Sequence, residues 1–347
     1  MVKSWLNLGK AAPLIMGIAI CVPPVMVITP PMLAQRVLAQ GSQSSSQTEA
    51  ERLYAEGERL RLQGTRESLQ QAIAKFQQAL PLFRSAGDST EERLRQRYSE
   101  AATLNSLGNI HGIIRQPQQA LNFYQQSLII TRELGLRNEE ATNLNSIGRI
   151  YAEIRQPQQA LNYFQQALVI IREVGNRSLE TNTLNNIGLV YSNLGQLQQA
   201  LTYLQQSLPI IREVGDRTHE ARILGNLAKI QKDVNDLPAA LQTVQAAIAI
   251  VEDIRGQLIN PEFRTSYFAT VQEYYKLEID LLMQLHTSTT PSNPTQSYAA
   301  QAFNVTERSK ARTLLELLTE SKADIRNGVD PQLSSTLNFG RDPTTNS

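Results

Sequence analysis

Asparagine recurs at a fixed spacing in this chain, at Asn105, Asn145 and Asn185, each forty residues after the last. A carboxamide offers hydrogen-bond donors and an acceptor together, so a row of asparagines can pair with the backbone of an extended peptide whatever its side chains. This pattern predicts peptide binding rather than bond-breaking chemistry. The alternative is that each asparagine bonds to the backbone of the next unit, because duplication copies structural residues as faithfully as binding ones.

Residues for catalysis or metal binding are sparse. Cys21 is the single cysteine, and the histidines are His111, His219 and His286. A caspase-like protease needs a thiolate beside a histidine base, and the body of the chain cannot supply that pair. The sequence also lacks a glycine-rich phosphate loop and any His, Cys and Asp cluster with metal-ligand spacing. We therefore predict a protein that is not an enzyme and that holds no cofactor or metal.

Composition favours a soluble, helical protein. Apolar residues make up 41% and aromatic residues 6%, and the good helix formers Ala, Leu, Gln, Glu and Arg dominate. The formal net charge of +1 gives no basic field of the kind that neutralises phosphates. Nucleic acid is therefore not an expected partner.

The elements that position the asparagines come from an internal repeat. The segments 101–140, 141–180, 181–220 and 221–260 align without a gap, and 49–88 reads as a degenerate first unit with extra residues in its turn. A period of this size marks units that bury their apolar faces only against their neighbours.

Each unit reads as two antiparallel helices. In the second regular unit the first helix ends at Arg155–Gln156, and Pro157 opens the next one at the position where a missing amide costs least. Gly175 ends that second helix, because glycine takes the left-handed closing conformation without strain. Ahead of the regular array, Ser89 and Glu92 stand at capping-box spacing and predict the start of a long helix.

The packing positions of the units carry a family resemblance. They are occupied by Leu144, Ile147, Gly148, Tyr151, Ala160, Phe164 and Ala167. This pattern resembles the tetratricopeptide repeat (TPR) in a lengthened variety. The match is specific over 101–220 and weaker over 221–260, where Ala228 replaces the glycine and Gln231 the aromatic residue. The resemblance implies an all-α fold: a right-handed TPR superhelix, an α-solenoid of antiparallel helix pairs with about five repeats of forty residues and two longer C-terminal capping helices.

In the TPR family the first helix of each unit lines a concave groove, and the resemblance carries that groove onto this chain. The predicted groove consists of Asn105, Asn109, Thr142, Asn145, Arg149, Asn182, Asn185, Asn193, Arg222, Lys229 and Lys232. Its C-terminal end is basic, so we expect an acidic group or a chain terminus to dock there. The expected partner is a protein or an extended peptide.

Three further sets of residues carry simpler expectations. The glutamine pairs Gln118–Gln119, Gln158–Gln159 and Gln198–Gln199 are expected on a solvated outer face. The aromatic residues Tyr267, Phe268, Tyr274 and Tyr275 are expected to cover the end of the array as core. The basic residues Arg308, Lys310 and Arg312 are expected on a solvated helix face, with a docking patch as the alternative.

Longer helices replace the repeats after Asn260. The ranges 261–285 and 298–321 read as helices, and this stretch together with Ala323–Pro331 is similar to the segment that links TPR arrays to the caspase-like CHAT domain in bacterial, often cyanobacterial, TPR-CHAT proteins. The resemblance stops before a CHAT domain. It leaves two functions open: a non-catalytic adaptor, or the regulatory half of a split or truncated TPR-CHAT protease with a CHAT-domain protein as its partner.

The amino terminus reads as a secretory signal peptide over 1–39. A basic start precedes an uncharged run over 11–34, and cleavage is expected after Ala34 or Ala39. The alternative is an uncleaved membrane anchor formed by 11–34, which the prolines of the run weaken. We expect an exported protein, periplasmic or extracellular. The remaining organisation is a disordered linker at 40–48, the TPR array at 49–260, a capping and linker region at 261–325 and a disordered tail at 326–347.

Overall fold

The computed structural model describes residues 45–85, 89–257, 261–288 and 297–320, so the predicted signal peptide and tail lie outside the described residues. The described residues form twelve α-helices and no strand. The helices are α1 (Ser45–Gln63), α2 (Arg66–Arg84), α3 (Thr90–Ile113), α4 (Pro117–Glu133), α5 (Arg137–Glu153), α6 (Pro157–Val174), α7 (Arg177–Asn193), α8 (Leu197–Val214), α9 (Arg217–Asp233), α10 (Leu237–Gln257), α11 (Pro261–Ser288) and α12 (Tyr298–Glu320). The predicted all-α fold is confirmed.

The start of α1 differs from the sequence prediction. Helical periodicity was expected from Glu49 on, whereas α1 begins at Ser45, inside the predicted linker 40–48. The first buried apolar residue of the array in this helix is Ala50. Residues 45–48 are all polar, so no apolar periodicity in the sequence marks this first helical turn.

Pairing of successive helices builds the array. The pairs α3–α4, α5–α6, α7–α8 and α9–α10 each pack internally, and each second helix packs on the first helix of the next pair. Within a pair, Gly148 sets the closest approach, because a Cβ there would lie 2.7 Å from Cδ1 of the fully buried Phe164. Gly57 of α1 has the same relation to Phe76 of α2. The degenerate first unit is therefore a helix pair of the same kind.

Helix ends follow the sequence signals. Pro157 opens α6, and Gly175 closes it with a φ of 72°. At the start of α3, the Ser89 hydroxyl accepts a hydrogen bond from the Glu92 amide at 3.1 Å. One feature of the helix ends was not predicted. Arg155, in the turn between α5 and α6, has a left-handed backbone conformation with a φ of 59°. The sequence marked where the helix ends there but not that a non-glycine residue would close it in the left-handed conformation.

Two longer helices close the C-terminal end of the array. Tyr274 and Tyr275 of α11 are buried in one apolar cluster with Ala228 of α9 and Val244 of α10. Within the described chain, the stretch Leu237–Ile254 of α10 is long and apolar enough to cross a membrane by length and composition. In the array its apolar side chains instead pack into this cluster. The predicted capping helices are thereby confirmed, whereas Tyr267 and Phe268 lie where no side chain is described.

Candidate functional site

The residues of the predicted groove lie on one face of the first helices α3, α5, α7 and α9. Their exposure differs along the array. Six are partly exposed: Asn105, Asn109, Thr142, Asn145, Arg149 and Asn182. Asn193, Arg222 and Lys229 are exposed, Lys232 is intermediate, and Asn185 is fully buried.

The recurring asparagines join neighbouring units. Asn105 donates from Nδ2 to Oδ1 of Asn143 in the next unit at 2.9 Å. Oδ1 of Asn145 accepts hydrogen bonds from Thr183 and Asn186 of the following unit, at 3.1 and 3.4 Å. The bonds run to side chains of the next unit and not to its backbone, which was the alternative stated from the sequence. These asparagines therefore have a structural role, whatever else they bind.

Asn185 carries the same ladder into the fourth regular unit. Its Oδ1 accepts a bond from Nδ2 of Asn226 at 2.9 Å. Its own Nδ2 is buried without a hydrogen-bond partner among the described residues. Because the side chain is fully buried, an extended peptide lying on the helix surface does not reach it.

A second polar chain lies beside the ladder and is still accessible. Asn109 donates to Oδ1 of Asn105 and accepts from the Tyr124 hydroxyl, both at 2.9 Å. Arg149 pairs with Glu153 at 2.8 Å and reaches the Tyr124 hydroxyl at 3.5 Å. Burial raises the pKa of Tyr124, so its hydroxyl stays protonated and donates to Asn109. The half-exposed carboxamides and the guanidinium keep further donors and acceptors for a ligand.

The basic end of the predicted groove meets the capping helix α11. Lys229 pairs with Glu273 at 3.5 Å, and Lys232 pairs with Asp280. The Lys232 ammonium holds the pKa of Asp280 below its usual range. The chain itself thus supplies acidic partners for the lysines that were predicted to bind an acidic group of a ligand.

Tyr274 of α11 covers the groove position next to these lysines. Its hydroxyl donates to the Ala221 carbonyl oxygen at 3.2 Å, and a Cβ on Gly225 would lie 2.4 Å from its ring. The third basic residue, Arg222, donates to Asn182 at 2.8 Å. Arg222 and Lys229 stay exposed, but the lysines at this end already have partners on α11. The part of the predicted groove that α11 does not engage is its amino-terminal part, on α3, α5 and α7.

A hollow of about 160 Å³ opens in that amino-terminal part. It lies between the first helices of three successive units, with Tyr54 from α1, Asn105 from α3 and Thr142 from α5 in its wall. Burial raises the pKa of Tyr54 to about 12, and the nearby Glu58 carboxylate adds to the effect. The sequence placed Asn105 and Thr142 on this face, but it did not identify Tyr54 or the depth of the hollow.

Sequence reasoning also missed a repeated pattern of ion pairs between units. The buried carboxylate of Glu180 accepts from Arg172 at 2.9 Å and from Arg177 at 2.8 Å. Arg177 continues to Glu213 of α8 at 2.9 Å. The same arrangement recurs at Glu140 and at Glu100. Glu220 likewise pairs with two arginines. The forty-residue recurrence of these arginines and glutamates was the signal that could have revealed it.

The other residues singled out from the sequence lie in structural settings. The glutamine pairs of the second helices are exposed, as predicted. Arg308 lies 5.2 Å from the Tyr275 ring centre and 3.4 Å from Glu278, and Arg312 pairs with Glu252 at 3.0 Å. Arg308 and Lys310 are exposed, as predicted, whereas Arg312 is partly buried. The pairs of Arg308 and Arg312 also connect α12 to α11 and α10.

The histidines are not brought together. His111 stacks on Phe123 with ring centres 5.2 Å apart, at the repeat position that Tyr151 occupies in the next unit. His219 lies beside Asp216, the residue that caps α9. Among the described residues no group of three His, Cys, Asp or Glu side chains is placed to hold a metal ion.

Comparison with known proteins agrees with the repeat architecture. Residues 99–173 and 179–253 match the family model of the tetratricopeptide repeat. No protein of curated function matches the sequence.

Solved structures share the fold at low sequence identity. Aspartyl phosphate phosphatase F from Bacillus subtilis is 15% identical with a TM-score of 0.54, covering 86% of this chain and 76% of its own. A Rap protein complexed with the competence and sporulation factor is 15% identical with a TM-score of 0.52, covering 84% and 82%. A STAND protein with a tetratricopeptide repeat sensor from Pyrococcus horikoshii is 15% identical with a TM-score of 0.52, covering 84% and 44%. At these identities the likeness describes the fold alone.

Proposed function

Because residues 99–173 and 179–253 are tetratricopeptide repeats, we propose that this chain is a non-catalytic scaffold that binds a partner protein. The partner lies as an extended segment along the first helices α3, α5 and α7. The observation that carries the proposal is the hollow of about 160 Å³ beside Asn105 and Thr142, which continues into the half-exposed polar side chains of the same face.

The chemistry of this face suits a polypeptide better than a small reactive substrate. Asn109, Thr142, Asn145 and Arg149 are all partly exposed, and they present donors and acceptors over the length of two units. Such a row satisfies the alternating amide and carbonyl groups of an extended backbone. One structure of similar fold, the Rap protein, holds the competence and sporulation factor, which is in keeping with a bound partner here.

The basic end contributes less to this proposal than the sequence suggested. Lys229 and Lys232 already face acidic residues of α11, and exposed pairs of this kind exchange partners at little cost. An acidic terminus would have to compete with Glu273 and Asp280. We therefore propose that the partner's main contacts lie towards α3 and α5.

Site-specific cross-linking tests the proposal. A photoreactive residue is placed at Thr142, which lies in the wall of the hollow, and in a matched variant at Gln159, which is exposed on the second helix of the same unit. Each variant is irradiated with exported and cytosolic extracts of the source cell. We expect a polypeptide joined at Thr142 and not at Gln159, and a synthetic copy of that segment should compete with the cross-link. Equal products from both positions, or no product at Thr142, would refute groove binding.

Alanine replacement of Asn105, Asn145 and Asn185 does not separate binding from folding. Each of these side chains bonds to the next unit, so their removal lowers stability even where no partner binds. Thr142 is a better probe, because among the described residues its hydroxyl bonds to the Asn138 carbonyl oxygen of its own helix and to no neighbouring unit.

The alternative proposal is the regulatory half of a TPR-CHAT protease. It is supported by the resemblance of 261–325 to the segment before a CHAT domain, and α11 and α12 are long helices in keeping with that segment. Arg308 and Arg312 are engaged by Glu278 and Glu252, so a docking domain would have to displace those pairs. Coding sequence beyond codon 347 that specifies a domain with a His and a Cys would favour this proposal over the stand-alone scaffold.

We also propose that the chain is exported. The support is the signal-like segment 1–39. Expression of the full chain followed by cell fractionation tests it: a shortened mature form outside the cytoplasm is expected, and full-length protein in the membrane would favour the anchor instead.

A further inference from the structure

Glu139 stands in the wall of the hollow between α1, α3 and α5. Its Oε2 is buried and has no hydrogen-bond partner among the described residues. A buried carboxylate oxygen normally has a partner, because removing a charge from water without compensation is costly. The oxygen is therefore unusual, and the hollow beside it is the place from which a partner can come.

The repeat supplies an internal control for this carboxylate. Its sequence neighbour Glu140 belongs to the copied ion-pair pattern and is held by Arg132 and Arg137 at 2.9 and 2.7 Å. Forty residues on, Glu140 is matched by Glu180, whereas Glu139 is matched by Leu179. Glu139 is therefore not needed to join the units, and its presence in one unit alone points to a local task.

The arginines nearest in sequence to the wall residues Tyr98 and Glu139 pair with other carboxylates. Arg97 pairs with Glu100 and Glu133, and Arg137 pairs with Glu140 and Glu173. No basic side chain is among the described residues that line the hollow, and Glu139 is the acidic residue of that wall.

The remaining wall suits a positive charge. Tyr54 and Tyr98 contribute rings, and an aromatic face attracts a cation placed over it. Burial raises the pKa of Tyr98, with the Glu139 carboxylate adding to it, in keeping with a local excess of negative charge. Ser106 donates its hydroxyl to Glu58, and Asn143 Oδ1 accepts from Asn105; each of these wall oxygens keeps a lone pair that can accept a further N–H group.

We propose that the hollow binds the cationic head group of an arginine or lysine side chain carried by the partner polypeptide, with Glu139 as its anion. This proposal rests on the proposed function and names a specificity position of the same face. The volume of about 160 Å³ corresponds to roughly five water molecules, enough for a guanidinium or an ammonium group. The pairing would be a charge-assisted hydrogen bond in a partly desolvated site, which is the strong kind.

A small cation tests the hollow independently of any peptide. The full chain is titrated with n-butylguanidinium and, as a neutral analogue of the same shape, with n-butylurea, and the amide resonance of Glu139 is followed by NMR. We expect saturable shifts with butylguanidinium and none with butylurea. In Glu139→Gln the dissociation constant for butylguanidinium should rise at least about tenfold, a change of about 1.4 kcal/mol.

The matched control is Glu153→Gln, which removes one carboxylate from the same helix but lies outside the hollow and is exposed. Its affinity for butylguanidinium should stay within about twofold of the wild type, which is well under 1 kcal/mol. Equal weakening by both variants would show a diffuse charge effect and would overturn the proposal. No saturable shift in the wild type, or equal shifts with butylurea, would overturn it as well.

Folding is checked by thermal melting. Because no described residue bonds to Oε2 of Glu139, Glu139→Gln should melt at or above the wild-type temperature, and a clear fall would show a structural role instead. The two proposals also fail separately. A polypeptide cross-linked at Thr142 without cation binding refutes only the role of Glu139, whereas cation binding without any cross-linked polypeptide refutes the scaffold proposal.

Discussion

The ion pairs between units give the sharpest prediction about stability. Glu180 is 5% exposed and its two oxygens accept from Arg172 of α6 and Arg177 of α7 at 2.9 and 2.8 Å. Arg177 also reaches Glu213 of α8. One buried carboxylate thus ties together helices of two successive units, and its removal should weaken their interface.

The substitution Glu180→Gln keeps the size of the side chain and removes its charge. One charged acceptor oxygen becomes an N–H donor that faces a guanidinium, so one bond is lost and the other is weakened. A hydrogen bond to a charged group contributes about 1.5–3 kcal/mol. The arginine side chains are about half exposed, at 54% and 47%, and can turn towards water, so we take the lower part of that range. The expected loss in the free energy of unfolding is about 2 kcal/mol.

Urea denaturation followed by circular dichroism measures this loss. The midpoint should fall while the slope stays unchanged, which shows that stability and not the size of the cooperative unit has changed. Hydrogen exchange should show the loss first in α7 and α8, because stability in a repeat array is partly local. The control is Glu173→Gln. Glu173 pairs with Arg137, and its side chain is 55% exposed. It should leave the midpoint unchanged, since exposed pairs contribute little.

Two results would contradict this reasoning. A loss below about 0.5 kcal/mol for Glu180→Gln would place it among ordinary surface substitutions. An equal loss for Glu173→Gln would show that net charge and not the buried bonds is responsible.

Three further predictions follow from packing and titration. Gly148→Ala should lower the free energy of unfolding by about 1–3 kcal/mol, because its Cβ would lie 2.7 Å from Phe164; thermal melting measures it. Arg155→Gly should raise that free energy by up to about 1 kcal/mol, because glycine relieves the left-handed strain of a residue at φ 59°; the urea midpoint should rise. Burial raises the pKa of both Tyr54 and Tyr274 to about 12, whereas an unfolded tyrosine ionises near 10. Their contribution to stability is therefore complete below about pH 10 and is lost as the pH rises towards about 12. As the pH is raised, the tyrosinate absorbance of the folded protein should appear at higher pH than that of a model peptide. Replacing either tyrosine by Phe should reduce the loss of stability at alkaline pH.

Much of the fold was readable from residue spacing. The forty-residue recurrence, the proline at the start of α6 and the glycine after it depend on backbone geometry within one unit, so they predict helix ends without any tertiary information. Gly148 and Phe164 likewise marked the contact inside a pair. The start of α1 and the left-handed Arg155 were missed, because neither carries a residue type that is specific for its conformation.

The candidate site was predictable in part. The sequence placed Asn105, Asn145 and Asn185 at one repeat position, and repetition alone gave no means of telling them apart. In the structure Asn105 and Asn145 are partly exposed whereas Asn185 is fully buried. The sequence placed basic residues at the C-terminal end of the groove. It could not predict their acidic neighbours on α11, because α11 lies outside the repeat.

The sequence by itself therefore determined the unit, its helix ends and the order in which units follow one another, because these depend on interactions between residues close in the chain. Only the tertiary structure decided which polar groups are used up between units and which stay open. Glu139 and Glu140 are adjacent and chemically identical. Glu140 is held by two arginines, whereas Glu139 has a buried oxygen without a partner among the described residues. Successive residues of an α-helix point about 100° apart, so Glu140 faces Arg132 and Arg137 whereas Glu139 faces the hollow. The packing of neighbouring units decides what lies on each side of the helix.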